Sequence, residues 1–102
     1  MFDFLKRLFG NNTDYKALMS RGAIIVDVRT PEEFTSGHIK GALNYPLQTL
    51  SGQVQRLKDK GKPIIVCCRS GSRSAMAKQL LKAQGIEVYN GGGWGSLSQK
   101  LK

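Results

Sequence analysis

Two of the 102 residues are cysteines, Cys67 and Cys68, and they are neighbours. A disulfide between adjacent residues closes a strained ring and constrains no long loop, so this pair is not a structural bridge. His38 is the single histidine and there is no second cysteine pair. That leaves too few ligands for a four-coordinate zinc site, so no metal is expected, and nothing in the sequence asks for a cofactor. The thiols are either inert core atoms or chemistry, and the residues after them favour chemistry. The stretch Cys68-Arg69-Ser70-Gly71-Ser72-Arg73 sets two cations and a glycine within five residues of a thiol. A loop there would turn several backbone N–H groups onto the sulfur. A helix opening just after it adds partial positive charge. Each contribution favours thiolate over thiol, so Cys68 is expected to have a depressed pKa and to act as a nucleophile. The same cradle suits an incoming oxyanion.

The flanking elements place this loop where a ligand would meet it. Ile64-Ile65-Val66-Cys67 reads as a strand buried on both faces, and residues 73–84 read as a helix with Ala75, Met76, Leu80 and Leu81 inward. Residues 23–28 make a second apolar strand, and Ile86-Glu87-Val88-Tyr89 a third, followed by a loop of Asn90-Gly91-Gly92-Gly93. Thr13 is placed to cap a helix over residues 14–20, which Gly22 stops. Thr30-Pro31-Glu32-Glu33 carries a capping box with proline at the first helical position, and Gly37 ends that helix. Leu43 lies in a short extended piece before Pro46. Leu47, Leu50, Val54 and Leu57, spaced by three and four, predict an amphipathic helix over residues 47–58. A terminal helix follows from Trp94. Strands alternating with helices imply a small α/β domain: a parallel sheet with helices on both faces. In such sheets the ligand site lies beyond the carboxyl ends of the strands, where Cys68 falls.

The thiol loop resembles the active-site loop of the rhodanese (thiosulfate sulfurtransferase) family. Two further segments are similar to that family: Val26-Asp27-Val28-Arg29-Thr30-Pro31-Glu32-Glu33-Phe34, and Gly37-His38-Ile39-Lys40-Gly41-Ala42. Asn90-Gly91-Gly92 matches the turn after the family's last strand. The resemblance implies one rhodanese-like domain over residues 1–102, with its core at about 14–97 and an extension at 1–12. It implies that Cys68 accepts a sulfane sulfur as a persulfide, which the backbone of Arg69 through Arg73 stabilises. Arg69 and Arg73 would hold the oxygen end of thiosulfate or a similar donor. Asp27 and Arg29 would organise the site through an internal network; otherwise they are a surface ion pair. Sulfur would then pass to cyanide or a thiol.

A rival register exists. Cys67 to Arg73 has the Cys-x5-Arg spacing of the Cys-dependent phosphatase and arsenate reductase loop. Adjacent strand residues face opposite sides, so only one of the two thiols points into the loop. No Asp is recognisably placed as the phosphatase general acid, and the upstream segments favour Cys68. A non-catalytic sulfur-carrier or interaction module using the same thiol is the other reading.

Composition sets the frame. Hydrophobic residues make up 40% and charged residues 23%, which fits one globular domain, and no apolar run approaches a membrane span. The formal charge is +9, and residues 34–86 hold nine bases against the one acid Asp59. That bias reads as a field that keeps Cys68 ionised and draws in a small sulfur-bearing anion. The run Arg56, Lys58, Lys60 and Lys62 is a solvated helix end, or a docking patch for an acidic donor or acceptor protein. Nucleic acid is disfavoured because no aromatic residues interleave with the charges. His38 is read as structural and Trp94 as core. The N-terminus has no convincing signal-peptide pattern, which points to the cytoplasm. Phe2, Phe4, Leu5, Leu8 and Phe9 are expected to form a short helical turn packing on the domain, with a membrane-surface or partner-binding foot the sharper alternative.

Overall fold

The computed structural model describes residues 13–102. The readings placed on Phe2 through Phe9 lie outside the described residues. In chain order, α1 (Tyr15–Ser20) leads to β1 (Ile24–Asp27), α2 (Pro31–Ser36) and β2 (Leu43–Asn44). A 3-10 helix (Leu47–Gln53) then runs into α3 (Val54–Lys60), followed by β3 (Ile64–Cys68) and α4 (Ser72–Ala83). β4 (Val88–Gly93) and α5 (Trp94–Lys100) close the chain. The strands form one parallel sheet in the order β2-β1-β3-β4.

Side-chain alternation along β3 divides the core in two. Ile64, Val66 and Cys68 face a cluster holding Val26, Leu50, Leu57, Ala77 and Leu81. Ile65 and Cys67 face the opposite cluster with Tyr15, Leu18, Ile25 and Leu97. Helices therefore cover both faces, as the buried strand pattern requires.

The local signals explain most boundaries. At α2, Thr30 Oγ1 accepts from the Glu33 N–H while Glu33 Oε1 accepts from the Thr30 N–H, a complete capping box with Pro31 at the first position. Four details differ from the sequence reading. Asp14, not Thr13, caps α1, its Oδ1 accepting from the Ala17 N–H at 3.0 Å. The stretch predicted as one amphipathic helix begins as a 3-10 helix over Leu47–Gln53 and turns α-helical only from Val54. In α4 the inward face is Ser74, Ala77 and Leu81, while Met76 is 60% exposed. The glycines read as a loop are strand: Gly92 and Gly93 pair with Cys67 and Cys68 across a bulge that leaves Gly91 unpaired. Among the described residues no helix is long and apolar enough to cross a membrane.

Candidate active site

Cys68 ends β3, and the chain turns at once into α4. The turn is tight because Gly71 takes φ +107°, a conformation that side chains disfavour. This bend brings the N–H groups of the loop round onto the sulfur. The Gly71 N–H donates to Cys68 Sγ at 3.0 Å, and the Ser74 N–H at 3.4 Å. Beneath the loop runs β4. A Cβ at Gly93 would lie 2.8 Å from the Arg69 carbonyl oxygen, so only glycine lets the strand pass this close.

Ser74 completes the cradle. Its Oγ lies 3.4 Å from Cys68 Sγ, 3.0 Å from the Gly71 carbonyl and 2.7 Å from Asn90 Oδ1. A hydroxyl has one proton and must choose among these acceptors. With a thiol, S–H donates to Ser74 and Ser74 donates onward. With a thiolate, the serine proton turns to sulfur. Asn90 Oδ1 is held in place by the Gly92 N–H at 2.9 Å.

Cys68 is only 1% exposed. Burial is the largest influence on its pKa and opposes ionisation. Hydrogen bonds from the Ser74 hydroxyl and from the Ser74, Gly71 and Ser70 N–H groups together outweigh it, and the pKa lies below its usual 9.0. Cys67 has no such help. It is wholly buried on the opposite face, and burial together with nearby Asp27 pushes its thiol up to about 12. No loop N–H reaches its Sγ among the described residues. Cys67 is thus a buried thiol on the other face, and the loop N–H groups converge on Cys68.

Arg73 does not project freely over the sulfur. Its Nη1 and Nη2 donate to Glu33 Oε1 and Oε2 at 2.7 and 2.9 Å, a bidentate fork. The Arg73 guanidinium, with the Thr30 N–H, holds the Glu33 carboxyl down at about 2, from its usual 4.5. Arg69 is exposed, and its guanidinium forms no hydrogen bond or ion pair among the described residues. The side chains of Ser70 and Ser72 contribute nothing to the sulfur; it is the Ser70 backbone that does.

Asp27 and Arg29 form a buried network rather than a surface pair. Arg29 Nη2 donates to Asp27 Oδ2 at 2.7 Å, and the two side chains are 4% and 0% exposed. Arg29 Nη1 and Nη2 also donate to the carbonyls of Glu33 and Gly37, at 3.1 and 2.6 Å. Its guanidinium lies 4.9 Å from the Trp94 ring centre. This network fixes α2 over the carboxyl ends of the strands and so delivers Glu33 to Arg73. His38 stacks on Phe34 at 3.7 Å, with Nδ1 2.8 Å from the Phe34 carbonyl oxygen, a structural placement.

The charge reading needs correction. Lys58, Lys60 and Lys62 are exposed at the amino end of β3, and Cys68 is at its carboxyl end. Five strand residues span ~16 Å, about twice the Debye length at physiological salt. Local hydrogen bonds, not the basic run, depress the Cys68 pKa. Sequence reasoning also missed Ser74, Glu33 and Asn90 as site residues. Ser74 had a usable signal: it sits on the first turn of α4, in line with Ala77 and Leu81. For Asn90 and Glu33 only the tertiary contacts identify the role.

Comparison with known proteins matches this arrangement. The description "Rhodanese-like domain" fits residues 11–98. The chain is 39% identical over 84 residues to the uncharacterized protein YqhL of Bacillus subtilis, covering 80% of this chain and 66% of that one. It is 36% identical over 70 residues to the thiosulfate sulfurtransferase PspE of Escherichia coli, covering 67% of each. The alignments thus span about two thirds of these relatives' length. A crystal structure of a rhodanese-like domain protein from Staphylococcus aureus superposes with a TM-score of 0.70 at 33% identity, covering 81% of each chain.

Proposed function

This chain belongs to the family of rhodanese-like domains, and from that premise we propose that it is a sulfurtransferase working through a persulfide on Cys68. One observation carries the reading: the loop N–H groups and the Ser74 hydroxyl converge on the Cys68 sulfur. Relatives named thiosulfate sulfurtransferase support it.

The Cys68 thiolate attacks the outer sulfur of thiosulfate. A new S–S bond forms to Cys68, the donor S–S bond breaks, and sulfite departs with the bonding pair. The resulting persulfide anion has the same donors around it that favoured the thiolate. An acceptor thiolate, or cyanide in an assay, then attacks the outer persulfide sulfur and releases Cys68 as thiolate. Arg69, exposed at the mouth, steers the anion. Free cysteines suit a reducing cytoplasm. The acceptor is a thiol or an acceptor protein, with nucleic acid disfavoured by the lack of aromatic residues among the charges and membrane contact the weaker reading. A sulfur-carrier role that turns over slowly without a partner is the second reading. The near-complete burial of Cys68 favours it.

Intact mass after incubation with thiosulfate tests the proposal. The expected product is a single-sulfur adduct that Cys67→Ala retains and Cys68→Ser loses. An adduct that survives Cys68→Ser would sink the assignment.

A further inference from the structure

The capping box alone does not require a carboxylate at position 33. Gln would complete the capping box of α2 equally well. Instead the Glu33 carboxylate reaches across from α2 to α4 and takes both terminal nitrogens of Arg73. The same carboxylate accepts from the Thr30 N–H and Oγ1, each at 3.1 Å, so it is pinned rather than swinging. Its carbonyl is held in turn by Arg29. The cation in the fifth place after the nucleophile is therefore already neutralised. A tetrahedral dianion arriving at Cys68 does not find an open guanidinium fork there. Beside this pair lies a recess of about 140 Å³, lined by Val28, Thr30, Pro46, Leu47, Gln48 and Arg73. Its walls are largely apolar, and its one cation belongs to Glu33.

We propose that Glu33 sets the donor selectivity of the site. By occupying the Arg73 fork it disfavours small inorganic dianions and favours organic sulfane monoanions, which carry less charge to be held. Thiosulfonates and low-molecular-weight persulfides are the chemical class. This rests on the sulfur-transfer reading for its substrate but not for its charge argument. It also gives a physical reason why the loop is a poor phosphate site: the arginine that would clamp a phosphate is held elsewhere.

The test separates the two claims. Alkylation of Cys68 by iodoacetate, an anion, and by iodoacetamide, a neutral analogue, needs no sulfur transfer. Both reagents consume the same thiolate, so the ratio of their rates cancels any change in thiolate fraction. Glu33→Gln is expected to raise the iodoacetate-to-iodoacetamide ratio about fivefold, in line with freeing a partly exposed ion pair. In an Arg73→Gln background the same change is expected to leave the ratio unaltered. A ratio unmoved by Glu33→Gln overturns the proposal. So does an equal rise with Arg73 absent, because Glu33 would then act by general repulsion. In the donor assay, kcat/KM for thiosulfate relative to methanethiosulfonate is expected to rise in Glu33→Gln. A relative preference that stays constant overturns the substrate claim. Should no persulfide form with either donor, the sulfur-transfer reading fails while the alkylation result still decides the role of Glu33.

Discussion

The Cys68 sulfur is a buried acid held by directed donors, and its reactivity depends on how those donors are shared. Ser74 has one proton and three acceptors within reach. When the thiol ionises, the serine hydroxyl turns to donate its hydrogen bond to the sulfur and stabilises the charge. Removing it by Ser74→Ala takes away a bond to the anionic form, so the Cys68 pKa rises. The kinetics take the same sign. Wild-type alkylation by iodoacetamide is expected to climb with pH through a midpoint below 9.0, the usual thiol value. In Ser74→Ala that midpoint moves to higher pH, and the rate at neutral pH drops several-fold while the plateau at high pH changes little. A pH profile with an unmoved midpoint would show that the backbone donors suffice.

At the scale of elements, the site is a stack of β4 under the thiol loop and α2 beside it. The stack tolerates no extra atom at Gly93. A methyl group there meets the Arg69 carbonyl at 2.8 Å, and that carbonyl is backbone, so the loop itself must shift. Gly93→Ala is expected to cost about 1–3 kcal/mol in denaturant unfolding, the usual range for overpacking. Because the displaced segment carries the donors to Cys68, its alkylation rate is expected to fall as well. Stability lost with the alkylation rate intact would mean that the loop and strand yield independently. The capping box, the Asp27–Arg29 pair and the Glu33–Arg73 fork form one chain of contacts from β1 through α2 to α4. It places α2 with no buried side chain of its own.

For the whole molecule, the basic run Arg56–Lys62 and the reactive thiol are separate features. The Arg56–Lys62 run belongs to the amino ends of the strands, the thiol loop to their carboxyl ends. Replacing Arg56, Lys58, Lys60 and Lys62 together by Gln is expected to change the iodoacetate-to-iodoacetamide ratio by less than about twofold at physiological salt. A larger fall would restore the basic run as part of the active-site field.

How much of this was legible beforehand depends on the range of the interaction. Apolar runs, the Thr30–Glu33 capping box and the six-residue loop are local patterns, and the sequence by itself determined the parallel α/β fold and Cys68 as the nucleophile candidate. Alternation along β3 implies that only one of the two thiols faces the loop, because that rests on strand geometry alone, while the choice of Cys68 rests on the upstream segments. The partner of Arg73 was not legible, since Glu33 lies forty residues away and only the packing of α2 against α4 brings them together. The strand character of the glycines was hidden too, because flexible residues become a strand only when a neighbour supplies the ladder. The tertiary structure also decided where the charge sits. Closeness in sequence to Cys68 placed the lysines near the site on paper, and one strand's length moved them to the other end of the molecule.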